Sequence, residues 1–414
     1  MKTTTIFKLI GYLILVSVLI FVTGCEEEQN QIPTCEILYP VNNHVYQLWG
    51  EMEISIYAYD KDGQVESVVL FLDDKQIASL TTTPFAYICD LSTVSAGIHT
   101  LEAIVYDNAE GMASEKITFR LTGLKPDAKF QSFEGRILQG EEVQFTDLSE
   151  YLPSNWHWDF GDGETSTEQN PMHTFNHSGK FNVKLYTENQ YGVDSIIKTN
   201  LIEVIDTLVT DYDGNVYPVV RIGNQFWMAE NLKTTHYADG TPISNGTGVG
   251  DTEGDYTSKY YFAYNDDENN VDTYGRLYSW PAIVNGEGVN EGALYGVQGV
   301  CPDNWIVPSK VQWLVLINYL GGVEIAGGKL KSTGYDYWNY PNAGASNESG
   351  FNALPGGLRA FTYFNGLNVK AFFGSSISDY SSTFSLELIY NDVIADDNDF
   401  SFKNRGVSVR CIKK

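Results

Sequence analysis

The residues of this 414-residue chain that could do chemistry are five cysteines, a run of acidic and amide side chains, and a loop rich in aromatic rings. Asn265-Asp266-Asp267-Glu268-Asn269-Asn270-Val271-Asp272 concentrates oxygen donors in a stretch that reads as a loop. Calcium takes about six to eight such oxygens, so Asp266, Asp267, Glu268 and Asp272 are candidate calcium ligands. The EF-hand spacing with its sixth-position glycine is absent, and a solvated acidic turn is the competing reading. Asp60/Asp62 and Asp159/Asp162 are lesser acid pairs of the same kind. His173 and His177, with His157 nearby, have an H-x₃-H spacing, but zinc wants three or four nitrogen or sulfur ligands placed tetrahedrally. In Tyr335-Asp336-Tyr337-Trp338-Asn339-Tyr340 exposed rings could stack on sugars, which makes Trp338, Tyr335 and Tyr337 candidate ligand residues. Burial in the core is the competing reading for Trp338, and the expected one for Trp305 and Trp313. No Gly-x-Ser-x-Gly, His-Glu-x-x-His or Gly-x-x-x-x-Gly-Lys string occurs, so no catalytic residue is assigned and the chain is expected not to be an enzyme. A carboxylate pair for glycoside hydrolysis stays open, because the distance between acids is not legible in sequence.

Those residues must be held by elements, and composition bounds what these are. Charge counts of 26 Lys+Arg against 53 Asp+Glu give a net charge of -27, which repels phosphate backbones and argues against nucleic acid as a partner. With 19% charged and 14% aromatic residues, the chain has the makings of packed cores rather than disorder. Its length suggests two or three domains.

Lys2 and Lys8 precede an apolar run, Leu9 to Val22, that is too short for the roughly 20 residues of a membrane span and fits a signal-peptide core. The run closes in Val22-Thr23-Gly24-Cys25, which resembles the lipobox of bacterial lipoproteins. That resemblance implies that Cys25 becomes the first mature residue and carries diacylglycerol. Glu26-Glu27-Glu28-Gln29-Asn30 resembles the acidic export signal of Bacteroidota surface lipoproteins. Residues 1–24 are then a signal peptide and 25–32 an acidic tether. The expected location is the outer membrane, lipid-anchored and surface-exposed, with the membrane a partner through the lipid alone.

From residue 33 to 124 short alternating strands are broken by turns, as in a β-sandwich. Glu53 to Ala58 alternates, Asp60-Lys61-Asp62-Gly63 turns, Val65 to Leu72 runs extended, and Leu101, Ala103 and Val105 share one face. With Pro84-Phe85-Ala86-Tyr87 and Gly97-Ile98-His99-Thr100-Leu101, the segment resembles a bacterial immunoglobulin-like domain. Residues 125–206 centre on Trp158-Asp159-Phe160-Gly161-Asp162-Gly163, followed by Asn170-Pro171-Met172-His173-Thr174-Phe175, and resemble a PKD domain. Trp158 and Phe160 should fill its core, Gly161 and Gly163 take positive φ, and Asp162 cap the turn. Both domains are implied to be spacers.

Residues 207–414 change character. Ser309 and Gln312 form a capping box for a helix from Lys310 to Leu320, stopped by Gly321-Gly322, with Val311, Leu314, Val315 and Tyr319 expected to face the core. The stretch Ser332 to Gly357 should be a long ordered loop, which compact folds tolerate mainly when it is functional. Ile222-Gly223-Asn224-Gln225-Phe226-Trp227-Met228-Ala229-Glu230-Asn231-Leu232, Cys301-Pro302-Asp303-Asn304-Trp305 and Gly406-Val407-Ser408-Val409-Arg410-Cys411 resemble the Fibrobacter succinogenes major paralogous domain. That resemblance implies a layout similar to C-type-lectin-like folds and no known reaction. The chain departs from the family at Ile306, where His is usual, and at Phe372-Phe373-Gly374-Ser375-Ser376.

The expected architecture is therefore two all-β Ig-like sandwiches followed by an α+β C-type-lectin-like domain. Cys35, Cys89, Cys301 and Cys411 allow three pairings, of which domain boundaries favour Cys35–Cys89 and Cys301–Cys411 in an oxidising compartment. The first fails if the strands carrying its two thiols both flank a third. The preferred function is a cell-surface lipoprotein whose last domain binds an extracellular glycan or protein, with calcium the one cofactor the residues suggest. An exported enzyme acting on a polymer and a structural envelope appendage are the alternatives.

Overall fold

The computed structural model describes residues 29–414 apart from 49, 291 and 380, so Cys25 and the segment 1–24 lie outside the described residues. The chain is multi-domain and mostly β, and it divides into two compact units, Met1–Lys125 and Pro126–Lys414. Among the described residues no helix is long and apolar enough to cross a membrane.

The first unit holds Thr34–Tyr39 (β1), Val45–Gln47 (β2), Glu51–Tyr59 (β3), Val65–Leu72 (β4), Lys75–Leu80 (β5), Phe85–Asp90 (β6), Gly97–Asp107 (β7) and Met112–Thr122 (β8). They form two sheets, β1-β3-β6 and β2-β8-β7-β4-β5. Period-two alternation explains the packing: Ile54 and Ile56 of β3 meet Val68, Leu70, Leu101, Ala103 and Val105 in one core. The expected Cys35–Cys89 disulfide is absent, and both thiols are free. Cys35 on β1 faces Ala58, Cys89 on β6 faces Met52, and β3 lies between them. Strands two places apart are roughly 9–10 Å from each other, beyond the reach of a disulfide.

The second unit begins with another sandwich, made of Phe130–Ser132 (β9), Gly135–Leu138 (β10), Glu142–Asp147 (β11), Asn155–Asp159 (β12), Thr165–Ser166 (β13), Met172–Thr174 (β14), Gly179–Asn189 (β15) and Gly192–Ile205 (β16). Its sheets are β10-β16-β15-β12-β13 and β14-β11-β9. Trp158 and Phe160 are fully buried with Phe130, Phe145 and Phe175. Gly161 has φ +81°, and a Cβ there would strike the Asn182 carbonyl, so both backbone and space demand glycine. Asp162 closes the turn by accepting from Glu164 N at 3.1 Å, and its other oxygen meets His173 Nε2 at 2.8 Å. His173 stacks on Phe160 at 3.9 Å, which makes it a lid on the core and not a metal ligand.

The rest of the second unit is the head. One sheet orders Leu208–Thr210, Val216–Ile222, Gln225–Met228, Ile412–Lys413 and Trp305–Ile306, bringing the last strand beside one of the first. A larger sheet contains Lys370–Ser378, Ser382–Ile389 and Ala395–Phe402. Among the described residues four short α-helices accompany them: Val271–Tyr274 (α1), Trp280–Val284 (α2), Lys310–Tyr319 (α3) and Val323–Leu330 (α4). Cys301 and Cys411 form a disulfide that ties the segment before α3 to the final strand. The capping box of α3 is present in both directions, and Gly321 at φ +105° and Gly322 at φ +96° end the helix. Its buried face is Gln312, Trp313, Leu316, Ile317 and Leu320, while Val315 and Tyr319 are exposed, contrary to the sequence reading. The helix is apolar nearly all round, so periodicity does not single out a face, and Trp313, the largest side chain, faces inward.

The sandwich of β9–β16 and the head are fused. Ile205, at the end of β16, lies in the head core with Val219 and Phe226, and Leu138 packs against the same cluster. Arg221 of the head reaches Glu141 at 2.9 Å, and the Arg136 guanidinium sits 5.1 Å from the Phe226 ring centroid.

Candidate functional site

The long loop begins where α4 ends. Lys331 follows that helix fully buried, donating from Nζ to the carbonyls of Ile389 at 2.9 Å and Asp392 at 2.6 Å. Burial pulls its ammonium down to about 8, against a weaker opposing effect of Asp392. Two glycines let the loop close on the helix: a Cβ at Gly328 would strike the Gly344 carbonyl, and Gly344 itself has φ +64°.

Trp338 is only 1% exposed, and its Nε1 donates to the Ala353 carbonyl at 3.0 Å. It is therefore the anchor of the loop and not a sugar-stacking ring, which corrects the expectation for this residue. A large ring whose N–H finds a buried carbonyl gains more inside than at the surface. Asn342 fastens the other side, its Nδ2 donating to the carbonyls of Ser332 at 2.9 Å and Gly334 at 2.8 Å. Ala343 N donates to the Tyr390 carbonyl at 2.7 Å and Asn339 N to that of Asn368 at 2.8 Å.

With these ties made inward, the tyrosines are turned outward. Tyr335 is 62% exposed, Tyr337 39% and Tyr340 78%. Tyr335 and Tyr340 stand 5.6 Å apart between ring centroids, and Tyr337 makes an edge contact with Tyr274 at 6.2 Å. The phenol of Tyr274 is raised, chiefly by its partial burial and secondly by the neighbouring Tyr337. Three exposed rings on a pinned loop form a surface able to stack on apolar faces of a ligand, with phenol hydroxyls at the rim.

Sequence reasoning missed two residues here. Tyr340, next to the turn residue Pro341, is not among the candidate residues named above. Arg410 is named above only within the terminal family string, yet it is completely buried and holds the far end of the loop. It donates to the carbonyls of Phe351 at 2.5 Å and Asn352 at 3.0 Å, to that of Met228 at 3.0 Å, and to Asn231 Oδ1 at 2.6 Å. Its guanidinium lies 4.6 Å from the Phe351 ring centroid. The available signal was a cation between Val409 and Cys411, in the apolar segment that leads into the last strand.

The acidic run does not assemble the expected calcium site. Asp267 accepts from Asn269 N at 3.0 Å as a helix cap, and Glu268 forms a two-bond pair with Arg276 at 3.0 and 2.8 Å. Asp266 is directed to Gly248 N at 3.4 Å, and Asp272 is exposed on α1. Local turn bonds and a salt bridge draw these carboxylates apart, and among the described residues no three His, Cys, Asp or Glu converge for a metal. Elsewhere in the head a cleft of about 830 Å³ is bordered by Tyr295, Trp305, Glu287, Gln298 and Asp303.

Residues 220–413 match the family model of the Fibrobacter succinogenes major domain, 125–204 that of the PKD domain and 33–103 that of a bacterial Ig domain. The head is a Fibrobacter succinogenes major domain. The loop tyrosines and Arg410 thus belong to the major domain, and the sandwich fused to it is the PKD domain. Among curated proteins, Collagenase ColA of Clostridium perfringens is 29% identical over 166 residues, covering 38% of this chain and 14% of its own length. Collagenase ColQ1 of Bacillus cereus is 33% identical over 108 residues, covering 26% of this chain and 9% of its own length. The chain therefore spans a small part of either collagenase. Among solved structures, the PKD1 domain from the Vibrio cholerae metalloprotease PrtV is 27% identical, covers 20% of this chain and 98% of that one, and has a TM-score of 0.17. Ig-like and PKD domains are of the kind carried by extracellular and surface proteins.

Proposed function

We propose that the chain is an outer-membrane surface lipoprotein, anchored through Cys25, whose major domain binds an extracellular glycan and does not catalyse a reaction. The supporting observation is the outward set Tyr335, Tyr337 and Tyr340 on a loop pinned by Trp338, Asn342 and Arg410. Sugar rings present C–H faces that suit such a platform, and a loop already held in place loses little freedom on binding. The net charge of -27 disfavours sulfated or uronic polymers and favours neutral or amino sugars. We read the major domain as C-type-lectin-like: its last strand pairs with Gln225–Met228, long loops carry the site, and Cys301–Cys411 staples the terminus.

The test is a glycan array probed with the full chain. Binding to neutral or amino glycans, lost in Tyr335→Ala/Tyr340→Ala and kept in Tyr295→Ala, supports the proposal. Release of shortened product from a bound glycan would make the domain an enzyme instead. Inertness toward every glycan, together with self-association, would make it structural.

A further inference from the structure

We infer that the Ig-like first unit carries a site for a hard divalent cation, calcium by preference, built on Asp60, Asp62 and Asn108. Strand β3 ends at Tyr59 and β7 at Asp107, so the turns after them lie at one end of the sandwich and deliver oxygens to it. Asp60 is only 6% exposed, and among the described residues its Oδ2 has no hydrogen-bond partner. Its Oδ1 receives a single long bond, 3.4 Å, from Asp62 N. The neighbouring Asp107 shows what a satisfied carboxylate looks like at this end. It accepts from Ala109 N at 2.8 Å, Gly111 N at 2.7 Å and Asn30 Nδ2 at 3.0 Å.

A buried carboxylate oxygen without donor or counter-charge is costly, so what the geometry lacks around Asp60 is positive charge. Near Oδ2 stands another acceptor, Asn108 Oδ1, which already takes the Gln64 N–H at 2.7 Å. A Cβ on Gly63 would strike Asp60 Oδ2 and Asn108 Oδ1 together, so both oxygens point to one place. Gly63 has no positive φ, and its glycine is explained by the space these oxygens take. Asp60 and Gly63 also line a cleft of about 450 Å³ with Thr81, Thr82 and Thr83. An all-oxygen set with no imidazole or thiolate suits calcium over zinc, and its irregular loop geometry suits calcium over magnesium. With two carboxylates and otherwise neutral oxygens, the affinity should be that of extracellular modules, on the order of 10⁻⁴–10⁻³ M. Occupancy would also firm the entry of the chain into the domain, because Gln31 N donates to Asp62 at 2.9 Å.

The full chain titrated with Tb³⁺ reads the site, since Tyr59 lines the same cleft and can sensitise the ion. Saturable luminescence displaced by Ca²⁺ is expected, weakened on the order of tenfold in Asp60→Asn and unchanged in Asp267→Asn. Thermal melting supplies the second readout. In chelator Asp60→Asn should melt no lower than wild type, having lost an unpaired buried charge, and millimolar Ca²⁺ should raise the wild type alone. Absence of saturable binding by the wild type, or an equal calcium response in Asp60→Asn, overturns the inference.

Discussion

Arg410 places a positive charge in a fully enclosed position with no carboxylate hydrogen-bonded to it. Burial drags its guanidinium down toward about 9, with Glu230 opposing weakly, yet four oxygen acceptors hold it charged at neutral pH. A lysine has neither the fork nor the reach to serve carbonyls on two sides. Arg410→Lys should therefore cost about 3 kcal/mol, measured by denaturant unfolding, through acceptors left without donors. Lys331 gives a pH signature. Its folded value of about 8 lies below the ordinary 10.5, so between these the unfolded chain holds more protons and stability rises with pH. The Lys331→Met variant should lack that rise, seen as a difference in unfolding free energy from wild type across pH 8 to 10.5. Trp338 marks where residue-level reading failed. Composition showed an aromatic loop, but whether one ring points in or out depends on a carbonyl, that of Ala353, brought near only by the fold.

At the scale of elements, strands and helix ends were legible because their causes are local. Alternation marked Leu101, Ala103 and Val105 as one buried face, and the Ser309/Gln312 box sat where its side chains indicated. What was not legible needed sheet order. Cys35 and Cys89 looked like partners until β3 fell between them, whereas Cys301 and Cys411 lie on segments that meet. An unfolded, unreduced chain beginning after Cys25 should accordingly titrate two free thiols in a colorimetric assay. In the folded chain burial pushes Cys35 up to about 11, so it should react slowly at neutral pH. Removing the Cys301–Cys411 bridge, which spans 110 residues, should cost about 4–5 kcal/mol in the chain-entropy account, read as a lowered melting temperature of the head.

Over the whole molecule, a spacer reading of the PKD domain omits its fusion to the major domain. Ile205 in the head core and the Arg221–Glu141 pair join them, and neither contact was visible in motifs that treat each domain alone. Phe226 and its neighbours would lose cover if the head were cut away at residue 207. The proposed binding surface is thus expected to work on the joined unit. The most direct measurement is the affinity of the full chain for its best array glycan, compared by calorimetry with Tyr335→Ala/Tyr340→Ala at matched melting temperature. Affinity should fall by at least about tenfold, or 1.4 kcal/mol, with melting unchanged. Undiminished affinity in the double variant would contradict it.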